Sequence, residues 1–269
     1  MEIKCRLCQS NRIKQKFKIQ SYPIYSCLHC DAEFTERLSD ESLIRAQEEA
    51  FDDTHFSNSV NKNVIRYWRR EAKFVSRLSK EKGSVLDIGC NDGLFLSFWD
   101  QGWQKFGIEL APTVATIAEQ KGIKVFQKPL EECVFEENSF DVISMYMIIE
   151  HLDDPYHSIR MISKWLKKNG ILVILTGATN ALKAKLKGEK WMMYTPPIHQ
   201  FFFSEKSLQY LLNENGFQIE RKKYTYGGMT EFKIKPLRIA EHLIGMTLAE
   251  LPINQIPLYD HLYLYARKQ

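Results

Sequence analysis

The sequence has no apolar run long enough to cross a bilayer: its longest stretches, such as Ile171 to Leu175, fall far short of the roughly 20 residues that a spanning helix needs. The beginning of the chain, with Glu2, Lys4, Cys5 and Arg6, lacks the apolar segment of a secretory signal. A cytoplasmic location is therefore expected, where thiols stay reduced. Internal repeats and low-complexity tracts are also missing, which removes solenoids and biased disordered chains from consideration. No charge of one sign dominates. A net charge of +4 permits an acidic or phosphorylated partner without demanding nucleic acid, and residues 1–38 carry no concentrated basic stripe. What remains is an ordinary globular composition, 44% hydrophobic and 26% charged over 269 residues, enough for one large domain and a small appendage.

Four of the six cysteines lie in residues 1–38. Cys5-x-x-Cys8 and Cys27-x-x-Cys30 are two knuckles separated by eighteen residues, a spacing with which a hairpin-rich segment offers four thiolates in a tetrahedron. A segment this short has too little core to fold well alone, so a structural zinc ion would supply the missing free energy. Redox-active pairs or a disulfide are the alternatives. His29, inside the second knuckle, is a bystander because the thiolate set is complete without it. Cys90 and Cys133 read as small buried residues.

Residues 1–40 thus read as a zinc-binding module and residues 41–83 as a helical lead-in, in which Val64, Ile65, Trp68, Ala72, Val75 and Leu78 form one helical stripe ending at Lys82-Gly83. From residue 84 to 269 strands and helices alternate, the pattern of a mostly parallel α/β sheet with helices on its faces. Strands are predicted at 85–88, 105–109, 123–126, 140–146, 171–175, 217–224 and 262–267. A helix is predicted from Pro155 to Lys168, capped by Asp154, and another from Ser204 to Gly216. A long loop is expected over 177–203, and an insertion over 228–258 has the length of a lid or partner surface.

The run Val85-Leu86-Asp87-Ile88-Gly89-Cys90-Asn91-Asp92-Gly93-Leu94-Phe95-Leu96 reads as a buried strand, a glycine turn and a helix start. It departs from the dinucleotide fingerprint, because Asn91 replaces the middle glycine and Asp87 would repel a pyrophosphate. A carboxylate there suits an ammonium group instead. Glu109, twenty residues after Gly89 at the end of the next strand, is placed to accept hydrogen bonds from both hydroxyls of a ribose. A ligand with a ribose and an amino acid group, but no phosphate, fits both acids.

On these residues the chain resembles the class I S-adenosylmethionine-dependent methyltransferases. Phe140-Asp141-Val142-Ile143 and Glu150-His151-Leu152-Asp153-Asp154-Pro155 are similar to their fourth strand and the loop after it. His199-Gln200-Phe201-Phe202-Phe203-Ser204 onward is similar to a branch in which small-molecule and sugar methyltransferases are common, some with a cysteine-rich zinc module in front. The resemblance implies a Rossmann-like sheet of seven strands, the last antiparallel, and S-adenosylmethionine as cofactor. It implies that Asp87, Gly89 and Gly93, with Cys90 in the same turn, surround the amino acid end of the cofactor. Leu110 would lie by the adenosine, Leu130 and Glu131 by the adenine, and Tyr146 on the pocket floor. Core packing is the alternative for Leu110, Leu130 and Tyr146. Asn91-Asp92 departs from the family and narrows the space near the methionine moiety.

Methyl transfer is an in-line displacement that needs alignment and exclusion of water, and a base only where the acceptor carries a proton. His199 and His151 are the candidate bases, with Glu150 a third residue that would orient a histidine or a turn; a helix cap or loop-fixing hydrogen bond is the other role open to them. The segment Lys190 to Pro197 suits a substrate-pocket wall or packing against the N-terminal helices, and Lys183, Lys185, Lys187 and Lys190 would suit a phosphate or a solvated face. The expected acceptor is a small molecule, such as a sugar or sugar nucleotide. The competing readings are an RNA methyltransferase whose zinc module grips nucleic acid and a catalytically silent binding module that keeps the fold.

Overall fold

The computed structural model describes residues 3–37, 62–79, 82–225, 257 and 259–269. The first part of the lead-in, and the 228–258 insertion apart from Pro257, lie outside the described residues. Strands β1 (Ile13–Ile19) and β2 (Tyr22–Cys27) form an antiparallel hairpin, and β3 (Glu33–Thr35) pairs with β2. Helix α1 (Lys62–Ser76) follows, ending short of the expected Lys82-Gly83 because Arg77 and Leu78 close back on Phe74 and Val75 in tighter turns.

The alternating part then runs β4 (Ser84–Ile88), α2 (Leu94–Ser97), β5 (Gln104–Ile108), α3 (Pro112–Gln120), β6 (Lys124–Phe126), β7 (Phe140–Tyr146), α4 (Pro155–Trp165), β8 (Leu166–Gly177), α5 (Leu182–Lys187), β9 (Phe201–Phe202), α6 (Glu205–Glu214), β10 (Phe217–Thr225) and β11 (His261–Lys268). Seven strands form one sheet in the order β10-β11-β8-β7-β4-β5-β6, and β11 alone runs against the direction of the other six. The α/β class and the seven-stranded sheet match the expectation.

The inner strands β4, β7, β8 and β11 are buried at successive positions over most of their length because both faces of the sheet are covered there. Ile143 and Met145 of β7, Leu172 and Ile174 of β8, and Leu262 and Leu264 of β11 pack on one side with Ile159, Ile162 and Trp165 of α4 and Leu208, Leu211 and Leu212 of α6. The alternate residues Val142, Val173, Tyr263 and Tyr265 pack on the other with Ala72 and Val75 of α1, Phe95 and Leu96 of α2 and Ala118 of α3.

Two local expectations change. Helix α4 stops at Trp165 rather than Lys168, because Leu166 is fully buried and already pairs with Phe140 in the sheet. Asn169, with φ of 64°, then turns the chain before Gly170. The long loop over 177–203 is partly ordered into α5 and β9. Its aromatic segment turns inward: Trp191, Met193 and Tyr194 are buried, and the Tyr194 hydroxyl donates to Glu33 Oε2 at 2.5 Å.

Strand β9 pairs with β3, so the small sheet has the order β1-β2-β3-β9 and draws its fourth strand from beyond residue 200. Cys5, Leu7, Ile24 and Phe34 share one continuous core with Phe201, Phe203 and Leu208.

Candidate functional site

In a sheet of this order, ligands bind at the carboxyl ends of the strands where the connections reverse direction. Here those are the ends of β4, β5 and β7, which carry Asp87-Gly89, Glu109 and Tyr146. Gly89 and Gly93 both have φ of 74°, in the left-handed region that favours glycine. A Cβ on Gly89 would stand 2.2 Å from Ile148 Cδ1, and one on Gly93 would stand 2.3 Å from Ile123 Cδ1. Cys90 is buried against Gly107, where an added Cβ would meet its sulfur at 2.3 Å. It packs the turn against β5.

Asp87 is 3% exposed and accepts the Ser144 hydroxyl at 2.7 Å. Burial raises its carboxyl to about 8, the Ser144 hydrogen bond opposes that, and the nearby Glu109 adds to it. The carboxylate of Glu109 takes the Asn91 amide on Oε2 at 2.9 Å and the Ala111 amide on Oε1 at 3.0 Å, so each oxygen keeps a lone pair for another donor. Two buried acids side by side favour a ligand that brings positive charge and hydroxyl donors. Asn91 takes a left-handed φ of 50°, while Asp92 accepts the Leu94 amide at 3.0 Å and pairs with Lys121 at 2.7 Å.

Tyr146, at the end of β7, packs its ring 4.8 Å from Trp68 of α1 and 4.9 Å from Phe95 of α2. Its buried hydroxyl has no hydrogen-bond partner, and burial drives its pKa upward. Leu110 is 40% exposed at the rim. Leu130 is buried, and the exposed Glu131 accepts the Ser158 hydroxyl of α4 at 3.2 Å.

The other candidates converge beside this edge. Glu150 and His151 lie on a single 3-10 turn after β7, His199 just precedes β9, and ligand atoms of all three lie within 4.8 Å of one another. Glu150 is 1% exposed; burial raises its carboxyl to about 7, with Thr176 donating to Oε2 at 2.9 Å and Oε1 left without a partner. Burial and the neighbouring His199 lower His151 to about 4, and burial also lowers His199. Both rings are neutral at pH 7. His199 Nδ1 lies 2.7 Å from the Met193 carbonyl, which can only accept, so Nδ1 carries the proton and Nε2 keeps the lone pair. His151 Nδ1 lies 3.1 Å from the Ile198 carbonyl, which can only accept, so the one proton of the neutral ring sits on Nδ1.

Cys5, Cys8, Cys27 and Cys30 are unbridged, and their sulfurs lie within 4.8 Å of one another, at 3.6 Å for Cys5–Cys30 and for Cys8–Cys27. A tetrahedral zinc with Zn–S of about 2.3 Å sets sulfurs about 3.8 Å apart, so the thiols fit such an ion. The two knuckles share one backbone device: Gln9 and Asp31 follow the second cysteine of each with φ of 60° and 66°, and return their amides to the Cys5 and Cys27 carbonyls.

Several participants escaped sequence reasoning. Arg6 reaches Asp153 and Gln200, Gln200 braces Glu150 and His151, and Ser144 holds Asp87. Gln200 carried a signal, since it sits inside the motif that supplied His199.

A family model described as a methyltransferase domain matches residues 60–222. The chain is 33% identical over 113 residues to a ubiquinone biosynthesis O-methyltransferase of Xanthomonas axonopodis pv. citri, covering 39% of this chain and 47% of that protein. It is 28% identical over 137 residues to an uncharacterized protein of Methanocaldococcus jannaschii, covering 51% of this chain and 65% of that one. The matched stretches thus span about half to two thirds of those relatives. Among solved structures, an S-adenosylmethionine-dependent methyltransferase of Thermotoga maritima, described as a possible histamine N-methyltransferase, matches with a TM-score of 0.53 at 20% identity over 77% of this chain and 92% of that one. A complex of the Haloferax volcanii Trm112 methyltransferase activator and a methyltransferase matches with a TM-score of 0.56 at 14% identity over 86% of this chain and 98% of the matched chain.

Proposed function

The chain belongs to the methyltransferase-domain family whose model accounts for residues 60–222, and from that premise we propose that it methylates a hydroxyl group of a small molecule, with His199 as the base. That the enzyme is an S-adenosylmethionine-dependent methyltransferase follows from the family and its fold. The cofactor supplies an electrophilic methyl group on a sulfonium. Asp87 would hold its ammonium, the lone pairs left on Glu109 would take the ribose hydroxyls, and the bare backbone of Gly89 and Gly93 would let the chain approach it closely. Cys5, Cys8, Cys27 and Cys30 would hold zinc as a structural ion, since four thiolates leave no open coordination position for chemistry.

One observation carries the acceptor reading. His199 is a neutral imidazole whose Nδ1 proton is committed to the Met193 carbonyl, so its Nε2 is an acceptor already in the form a base requires. His151, whose ring proton is held by the Ile198 carbonyl, would serve to orient. The partial likeness to O-methyltransferases supports a hydroxyl acceptor, and a sugar or sugar nucleotide is the class to screen first. The test is a screen of acceptors with labelled cofactor, followed by turnover of His199→Asn and His151→Asn on the acceptor found. His199→Asn should cut turnover about 10²-fold with S-adenosylhomocysteine affinity nearly unchanged, and His151→Asn should cost less. A near-normal rate in His199→Asn removes the base from the reading.

A further inference from the structure

Arg6 stands between two cysteines of the first knuckle, yet its side chain ends among β3, β9 and the loop before α4. It is 12% exposed and makes three kinds of contact there. Its Nη2 donates to Asp153 Oδ1 and to the Asp153 carbonyl, both at 2.7 Å, and to Gln200 Oε1 at 3.0 Å. Nη1 donates to the Thr35 carbonyl at 3.3 Å, and the guanidinium stacks 4.7 Å from the centre of the Phe201 ring. A planar fork that satisfies acceptors on two separate loops fixes their relative position in a way that a point charge cannot.

Those two loops are the ones that carry the candidate acceptor-side residues. Gln200 is 1% exposed; its amide donates to the Glu150 carbonyl at 2.9 Å, its side-chain nitrogen to the His151 carbonyl at 3.4 Å, and its own carbonyl accepts from Thr35 at 3.0 Å. His199 is its neighbour in the chain, and Asp153 lies two residues past His151. The backbone positions of Glu150, His151 and His199 are therefore tied to a single side chain, whose own backbone is fixed by whatever holds Cys5 and Cys8. Asp153 is also paired with the more exposed Arg37. Losing Arg37 leaves the buried fork in place, while losing Arg6 leaves Gln200 Oε1 and the Asp153 carbonyl without their donor.

We propose that Arg6 is a positioning residue that transmits the metal occupancy of the four-cysteine centre to the placement of His151 and His199, while the Asp87–Glu109 cofactor edge is outside its reach. The proposal rests on zinc as the ion; the assignment of the histidines to the acceptor is a separate matter that the experiment keeps apart. The experiment uses the full chain with ¹⁵N-labelled histidine rings. It follows the His151 and His199 ring signals, zinc content and S-adenosylhomocysteine binding in wild type, Arg6→Gln, Arg6→Lys and Arg37→Gln, before and after zinc is chelated.

Arg6→Gln is expected to keep one zinc and an S-adenosylhomocysteine affinity within about twofold of wild type while both ring signals move. Arg6→Lys should move them less, and Arg37→Gln should leave them in place. Chelation of wild type should move the same signals in the same direction, reversibly on adding zinc, and should add little in Arg6→Gln because the link is already cut. Ring signals that stay at their wild-type positions in Arg6→Gln, chelation shifts of equal size in wild type and Arg6→Gln, or a wild-type protein that holds no zinc would each overturn the proposal. Should neither Arg6 variant fold, the wild-type chelation arm decides, and unmoved rings on zinc loss overturn it. Rings that respond as expected, in a protein whose turnover is indifferent to His199→Asn, uphold the transmission and sink the base assignment alone.

Discussion

Asp87 shows how a single residue can favour function at the expense of the empty fold. Its buried carboxyl is raised from 3.8 to about 8, so the folded chain holds a proton that the unfolded chain releases above about pH 4. The sign follows directly: the stability this group contributes is full below its unfolded pKa and is lost as the pH rises through about 8. A ligand ammonium reverses the preference, so cofactor binding near neutral pH should release a proton, seen as a buffer-dependent heat in calorimetry. Asp87→Asn should therefore raise the thermal midpoint of the ligand-free protein at pH 9, raise it by much less at pH 5, and weaken S-adenosylhomocysteine at least about tenfold through one lost charge-assisted contact. Equal midpoints at both pH values would show that the buried charge is compensated by another group. Asp87 and Glu109 were legible in the sequence because each ends a strand at a fixed distance from a glycine turn. Arg6, Ser144 and Gln200 were not, since their roles depend on acceptors 147 or 194 residues away, as for Arg6, or on a neighbouring strand.

At the scale of elements, the glycine turn between β4 and α2 is the least replaceable part. A methyl group on Gly89 would collide with Ile148, at the head of the turn that bears Glu150 and His151, and would sit at a positive φ as well. Gly216, after α6, has φ of 79° but nothing within 4 Å of an added Cβ. Gly216→Ala should thus cost only the backbone strain of about 1–2 kcal/mol, whereas Gly89→Ala should cost more and also remove S-adenosylhomocysteine binding. Thermal denaturation and calorimetry of the two variants check this, and equal stability losses with retained binding in both would refute the crowding argument. The strands themselves were readable because the sheet is covered on both faces and leaves short apolar runs bounded by turns. Element ends were less so. Lys167, Lys168 and Gly170 resemble a helix end, but Leu166 gains more by pairing with Phe140 inside the sheet than by extending α4. The aromatic segment around Trp191 and Tyr194 looked like a pocket wall because its burial partners, Glu33 and Asp260, are distant in the sequence.

Over the whole molecule, the order of alternating strands foretold the large sheet, but not that β9 would leave it to complete the small one. Two phenylalanines carry too little pattern to announce a strand, and their partner β3 lies some 170 residues earlier. With one apolar core running from Cys5 to Leu208, the cysteine module and the methyltransferase fold should melt together. Cys27→Ser should lower metal content and the midpoint of a single calorimetric transition, while two separable transitions would mean that the β3–β9 seam is not cooperative. The place of β11 bears on biosynthesis as well. It lies between β8 and β10, both made before it, so until it is made these two strands lack the partner that joins them in the folded sheet. Synthesis thus passes through an interval in which two edges offer unpaired amides and carbonyls to any neighbouring chain. The arrival of Leu262, Tyr263, Leu264 and Tyr265 ends that interval for both edges at once, which makes this one strand the step that commits the newborn protein to its own fold rather than to aggregation.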